Sequence, residues 1–188
     1  MDQGWAAVIA AIAAGFFGIT GALLGIIVGR RQATDQATVE HGHWLREQRL
    51  QAYTEVLTTW DDAITDLRAF QGRWNEEMDS LQEIGYTIHP SMIAGQKTDE
   101  TWAALRPRLE RAELLGPAAA TEAVHDLLEA WREIRGVLEE QASQAPYDVP
   151  WEEWERAVTR AAVRRTNFHV AVTGVLRTPP SPRGEPRL

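Results

Sequence analysis

Two Glu-x-x-His pairs are the residues of this chain whose types and spacing could hold a metal ion: Glu40 with His43, and Glu122 with His125. Side chains three residues apart share a helix face, and helical bundles that bind two metal ions use two such pairs. However, the second pair falls outside the apolar stripe that contains Val124, and the first pair precedes the expected core. We therefore predict no metal site and no bound cofactor.

Three pairs of neighbouring carboxylates are the other candidates for chemistry: Asp61-Asp62, Glu76-Glu77 and Glu152-Glu153. On a helix, consecutive side chains point about 100° apart, so such a pair does not converge on a substrate as a glycosidase pair must. The chain has no phosphate-binding glycine loop and no G-x-S-x-G motif. It has no cysteine, which excludes thiol catalysis and zinc ribbons. We expect no enzymatic activity and assign no catalytic residue.

Arg165 is a charged residue at a position where an apolar one is expected. It falls between Ala161 and Phe168 in the apolar stripe of the last helix. A buried guanidinium is unfavourable unless a carboxylate pairs with it. Two interpretations follow: an interior ion pair, or a contact with an anion or a protein partner at a groove between helices.

The elements that carry these residues are predicted to be helices. Apolar residues recur in steps of three and four from residue 44 to 84, which predicts one long helix. Residues 85–97 contain His89-Pro90 and Gly95 and are predicted to form a loop. A helix then follows over about residues 100–115, where Pro107 should kink or divide it. Gly116-Pro117 ends that helix and begins another, to about residue 140; the last helix opens at Pro150.

These patterns predict an all-α chain, in which an N-terminal transmembrane helix precedes an antiparallel bundle of three to four helices. Four is the preferred number. We divide the chain into a transmembrane anchor (1–31), a juxtamembrane joint (32–43), a cytoplasmic helical bundle (44–178) and a disordered proline-rich tail (179–188). Gly42 is the expected flexible point of the joint, because glycine weakens helices.

The anchor is predicted from an uncharged apolar run between Trp5 and Val28, which is long enough to cross a hydrocarbon core of about 30 Å. Arg30 and Arg31 follow the run directly, whereas only Asp2 and the chain amine precede it. Because arginine resists translocation, we expect a cell-membrane protein with its N-terminus outside and its C-terminal domain in the cytoplasm.

Small residues recur along one face of this run, at Gly18, Gly21, Gly25 and Gly29. Small residues at this spacing let two membrane helices approach closely. We therefore expect a homodimer through the transmembrane helix, although glycine is also common in membrane helices that do not pair.

The segment from His43 to Tyr53 carries the pattern WLR-x-QR-x-x-AY soon after the apolar run. In this it resembles small uncharacterised single-pass membrane proteins of actinobacteria, in which such an element opens a long helix. The segment from Ala112 to Pro117 is similar to a later element of the same group. The resemblance implies a membrane-anchored helical domain, and it brings no activity, ligand or catalytic residue with it.

The net charge of −8 argues against nucleic acid as a partner. The expected partners are membrane lipid, a second copy of the chain and an unidentified protein. The predicted function is that of a protein-interaction or scaffold module at the cytoplasmic membrane face. Two alternatives remain: a ligand-sensing helical bundle, and a small membrane-active effector that assembles through its transmembrane helix.

Overall fold

The computed structural model describes residues 39–83, 89–144 and 151–178. Every regular element in these ranges is an α-helix: α1 over residues 39–72, α2 Trp74–Glu83, α3 Pro90–Leu115, α4 Ala118–Gln144 and α5 Glu152–Arg177. Leu45–Pro179 form one compact unit. The predicted all-α fold and helical bundle are confirmed.

The helices of this unit alternate in direction. Arg49, near the start of α1, donates a hydrogen bond from Nε to the carbonyl oxygen of Leu115 at the end of α3 (2.7 Å). At the opposite end, the ring of Trp74 packs edge-on against Trp151, just before α5, with ring centroids 5.9 Å apart. Since α3 and α4 are joined by only two residues, they are also antiparallel neighbours. The four long helices therefore form an up-down-up-down bundle.

Aromatic side chains fill the middle of the core. Trp131 of α4 contacts Trp60 of α1 edge-to-face, with ring centroids 6.2 Å apart, and stacks on Trp102 of α3 at 5.9 Å. Closer to the start of α1, Tyr53 and Phe168 meet edge-to-face at 6.1 Å. These offset and perpendicular arrangements are favoured by the quadrupole of aromatic rings. We refer to Trp60, Trp102 and Trp131 as the middle layer.

Several helix boundaries differ from those predicted from the sequence. The long first helix is interrupted at Arg73, whose N–H bonds to the carbonyl of Phe70 three residues back (3.1 Å). α4 continues to Gln144 rather than ending near residue 140. Gly42 is helical, whereas a break was favoured there, and the other described residues of the joint region, 39–43, are helical as well. Residues 32–38 lie outside the described residues.

The predicted loop over residues 85–97 is wrong in its second half, because α3 begins at Pro90. Proline is well tolerated in the first turn of a helix, where its missing N–H has no intrahelical partner. The turns that follow bury Ala94, Thr98 and Thr101. The hydroxyl of Thr98 donates to the carbonyl of Gly95 (2.8 Å), so this polar group is satisfied inside the helix. The buried side chains of this segment are small and partly polar, so a hydrophobicity pattern does not reveal that the segment is a helix.

Pro107 does not divide α3, which is one helix of 26 residues. Proline removes the hydrogen bond to the carbonyl four residues earlier, here that of Ala103. Both Pro107 and Ala103 are exposed, so water can satisfy that carbonyl. The missing bond is therefore tolerated on the solvent side of the bundle.

Gly116 ends α3 as predicted, but for a reason other than a left-handed backbone. Its φ of −83° and ψ of 152° are open to any residue. A Cβ at this position would lie 2.8 Å from the Cβ of Ala120 and 2.9 Å from the carbonyl oxygen of Ala112. Glycine is required here because α3 and α4 approach each other closely at the turn.

None of the helices in the described ranges combines the length and the apolar character that crossing a membrane requires. The predicted span between Trp5 and Val28 lies outside those ranges.

Candidate interaction surface

The outward face of α5 carries an uncharged row of β-branched side chains. We define the outer stripe as Thr159, Val163, Thr166, Val170 and Thr173, which follow one another at steps of four and three. Val163 is 57% exposed and Val170 is 64% exposed, although both are apolar. Residues at this spacing share one face of a helix. The stripe thus presents an uncharged surface along more than half of α5, with exposed apolar side chains at Val163 and Val170.

On one side of the outer stripe, two arginines are bound to α4. Nε of Arg160 lies 2.6 Å from Oε1 of Glu133, and Nη1 of Arg164 lies 3.3 Å from Oε2 of Glu129. Arg160 also donates to Glu153, and the hydrogen bonds with Glu153 and then Glu133 raise the pKa of Arg160 above its usual value. These contacts direct the guanidinium groups toward α4 and away from the stripe.

On the other side, Arg165 binds α1. Its Nη2 lies 2.6 Å from Oδ2 of Asp61, and its Nε lies 3.1 Å from Oδ1 of the same carboxylate. This is a two-pronged ion pair, and 30% of the Arg165 side chain remains exposed. Of the two interpretations of Arg165, the ion pair is the contact present in the structure. Because both groups are partly solvated, such a pair is worth about 0–1 kcal/mol.

A groove of about 310 Å³ runs beside this ion pair, between α1 and α5. Trp60, Ile64, Arg68 and Val158 contribute to its walls. Arg165 directs one edge of its guanidinium at Asp61 rather than into open solvent. A partner at this groove would therefore meet a neutralised pair rather than a free charge at Arg165.

A second groove, of about 550 Å³, lies between α3 and α4 and includes Ile93, Gln96, Asp99 and Glu139 in its lining. Arg135 bridges two of its three carboxylates, with N–O distances of 2.7 Å to both Asp99 and Glu139. The hydrogen bond with Glu139 is the main reason that the pKa of Arg135 is raised. The groove is thus a mixed surface in which Asp99 and Glu139 share a cationic partner, whereas Glu100 accepts a hydrogen bond from the amide of Gln96 (2.9 Å).

Both Glu-x-x-His pairs are exposed on their own helices. Nε2 of His125 lies 3.2 Å from Oε1 of Glu113, and both side chains are on the surface. Glu40 and His43 are exposed on α1. Within the described ranges, no three His, Cys, Asp or Glu side chains are close enough to hold a metal ion.

The residues predicted to act in the membrane lie outside the described residues. They are the helix-packing residues Gly18, Gly21, Gly25 and Gly29 and the topology residues Arg30 and Arg31. Their roles remain predictions.

No protein family matches this chain. No curated protein and no solved structure matches it either. A functional proposal for this chain therefore has to rest on its own residues and their geometry.

Sequence reasoning missed the partners of the α5 arginines. Arg160 and Arg164 are four residues apart, as are Glu129 and Glu133 on α4. Two antiparallel helices with opposite charges at matched spacing form a ladder of ion pairs, so this spacing was the signal for the α4–α5 contact. The outer stripe was hidden by its threonines, which do not stand out in a hydrophobicity pattern.

Proposed function

We propose that this chain is a single-pass membrane protein whose helical bundle pairs with a second copy and holds another protein at the cytoplasmic membrane face. The observation that carries the proposal is the outer stripe of α5. It is an exposed, uncharged face of a rigid helix, and the arginines beside it are engaged by α4 and α1. An exposed apolar surface with a polar rim is typical of a protein contact site.

The spacing of the outer stripe favours a second copy of the chain as its first partner. Val163 and Val170 are seven residues apart, and Thr166 and Thr173 alternate with them, as the core positions of a coiled coil do. Valine at the first core position is the residue type that parallel two-stranded coiled coils use there, although they place leucine rather than threonine at the second. Two copies anchored in one membrane with the same topology would present their α5 helices in parallel. The same residue of each copy would then face its counterpart.

Pairing through two heptads alone would be weak, and the predicted anchor compensates for this. Holding both copies in one membrane raises their effective concentration, so a weak contact becomes populated. The glycine face of the apolar run, which includes Gly21 and Gly25, would add close packing between the two anchors. The resemblance to small actinobacterial membrane proteins agrees with this proposal.

Cysteine crosslinking in the full-length protein tests the proposed pairing, because the chain has no cysteine of its own. We expect Val163→Cys and Val170→Cys each to give a disulfide-linked dimer in membranes under mild oxidation. Met92→Cys is the matched control, since Met92 is similarly exposed (67%) but lies on α3. It should stay monomeric under the same conditions.

Absence of a dimer at both α5 positions, or equal crosslinking of the Met92→Cys control, would contradict pairing through the outer stripe.

The proposed binding of another protein is tested by purifying the chain in mild detergent. A discrete protein should co-purify with the unmodified chain, and a chain carrying Val163→Glu and Val170→Glu should form less dimer than the unmodified chain. Failure to recover any protein across several detergents would argue against a scaffold.

Ligand sensing is the second candidate, and the groove between α3 and α4 favours it. That groove separates two helices of the core and combines apolar walls with carboxylates. A ligand there would be expected to raise the melting temperature, since it binds the folded state alone. Thermal melts against small cationic compounds separate this function from the scaffold.

A further inference from the structure

The charge of the bundle is distributed unevenly along its axis. The middle layer divides the bundle into a near half, which contains the start of α1, and a far half. The near half consists of residues 45–59, 103–130 and 163–178, and the far half of residues 61–83, 89–101, 132–144 and 151–161. The near half has 8 basic and 7 acidic residues, whereas the far half has 7 basic and 15 acidic residues. Within these ranges, the far half therefore has a net charge of −8 and the near half a net charge of +1.

The near half ends in an apolar surface. Residues 114–121, which connect α3 to α4, contain no charged side chain. Leu114 is 87% exposed, the most exposed of the large apolar side chains in the described ranges. Pro117, Ala118 and Ala119 are exposed beside it. We refer to residues 114–119 as the apolar turn.

The apolar turn is fixed in place, so the exposure of Leu114 is not the result of a loose end. Arg49 holds the carbonyl of the neighbouring Leu115 at 2.7 Å. Gly116 is packed so tightly that even a methyl group would collide with Ala120 and Ala112. The fold thus holds a leucine out into solvent at the end of the bundle where α1 begins.

We propose that the apolar turn docks on the anionic lipid surface of the membrane, with the far half of the bundle directed away from it. This inference rests on the proposed membrane anchor. Leu45, the first residue of the compact unit, follows Val28 at the end of the apolar run by only 17 residues. The near half is therefore the part of the bundle that the chain connects most closely to the membrane.

Electrostatics favours the same orientation. Cytoplasmic leaflets carry negative surface potential, which falls off within a Debye length of about 8 Å at physiological salt. α3 has 26 residues and spans about 40 Å, so the acidic far end would lie several Debye lengths from the lipid. In the reverse orientation, the half with an excess of 8 carboxylates would face the negatively charged lipid headgroups, and the two would repel each other. The apolar turn lies in the nearly neutral half of the bundle, so electrostatic repulsion does not oppose its contact with an anionic membrane surface.

Two exposed residues at opposite ends of α3 give a direct test. Leu114→Cys and Met92→Cys are made in the full-length protein, labelled with an environment-sensitive fluorophore and reconstituted in vesicles of phosphatidylcholine and phosphatidylglycerol. The vesicles also carry lipids with a quenching nitroxide near the headgroup. We expect a blue-shifted and strongly quenched probe at position 114, and an unshifted, unquenched probe at position 92. Equal quenching at the two positions would overturn the inference.

The remaining outcomes are also decisive. A blue shift at position 114 without nitroxide quenching would mean that a protein, such as a second copy, covers the turn, and would overturn lipid docking. Extraction of the vesicles with carbonate shows separately whether the chain is membrane-integrated, so failure of the anchor is distinguished from failure of the docking. Leu114→Glu should reduce the quenching of a probe at Ala118→Cys without releasing the protein from the vesicles. Unchanged quenching in that variant would exclude Leu114 as the contact.

Discussion

Tyr53 is a buried core residue that carries a hydroxyl group. Its side chain is 1% exposed, and the hydroxyl has no hydrogen-bond partner among the described residues. The oxygen would lie 3.2 Å from a Cβ at Gly116, which places it at the tightly packed end of α3. Burial raises the pKa of Tyr53, and the nearby charge of Arg49 lowers it to a smaller extent.

We expect Tyr53→Phe to leave the free energy of unfolding unchanged or to raise it by about 1 kcal/mol, because a buried polar group without a partner is removed. The pH dependence should also change. The pKa of Tyr53 is raised in the folded state, so the folded protein favours the protonated side chain. The free energy of unfolding is therefore unaffected by this group below the unfolded pKa of about 10 and decreases as pH rises above that value. Urea unfolding of the full chain in detergent at pH 8 and at pH 10.5 measures both effects.

A smaller alkaline loss of stability in Tyr53→Phe than in the unmodified chain supports this account. A loss of more than about 1 kcal/mol at pH 8 would contradict it, because it would mean that the hydroxyl makes a stabilising bond.

At the same scale, Arg165 shows what sequence can predict about one residue. Its position in an apolar stripe predicted that it needs a partner, because the energetic cost of a buried charge depends only on local burial. The identity of that partner, Asp61, which is 104 residues away in sequence, depends on how α1 and α5 are aligned along the bundle. No local pattern encodes that register.

At the scale of the helices, α3 and α4 approach each other closely at the turn that joins them. A substitution that adds one methyl group there tests how tightly they are packed. We expect Gly116→Ala to lower the free energy of unfolding by about 1–3 kcal/mol, because the new Cβ would overlap a backbone oxygen and a neighbouring Cβ. Gly136→Ala is the matched control within α4. Nothing lies within 4 Å of its Cβ position, so it should gain about 0.5–1 kcal/mol from helix propensity.

Denaturant unfolding of the two variants in parallel checks this pair. If both variants changed the free energy of unfolding by the same amount in the same direction, backbone entropy rather than packing at the turn would explain the effect of Gly116.

The elements also show why the fold was predictable in outline. The predicted apolar stripe of the last helix contains Ala161 and Phe168, and both are buried, because apolar residues at helical spacing report the helical period. The first two turns of α3 were missed because their inward face is built from Ala94 and Thr98, which carry little hydrophobic signal. Helix α3 was thus predicted where its buried side chains are large and missed where they are small or polar.

For the whole molecule, the two proposed contacts occupy different surfaces of the bundle. The apolar turn lies at the near end, and the outer stripe runs along the side of α5, so lipid docking and pairing are compatible. A net charge of −8, read as a single number, suggests a protein repelled by anionic membranes. Among the residues of the two halves, the acidic excess lies in the far half, which removes that objection. A count of charges along the sequence does not reveal this distribution, because it depends on which helix segments lie side by side.

Membrane topology is the property on which this arrangement depends. Arg30 and Arg31 should hold the C-terminal side of the apolar run in the cytoplasm, because positively charged flanks are retained on that side. We expect Gln3→Cys to react with a membrane-impermeant maleimide in intact spheroplasts, and Met92→Cys to react only after permeabilisation. The unmodified chain, which lacks cysteine, is the background control. Labelling of Met92→Cys in intact spheroplasts would place the bundle outside the cell. It would exclude both docking on the cytoplasmic leaflet and a cytoplasmic scaffold, whereas crosslinking through the outer stripe would still be tested independently.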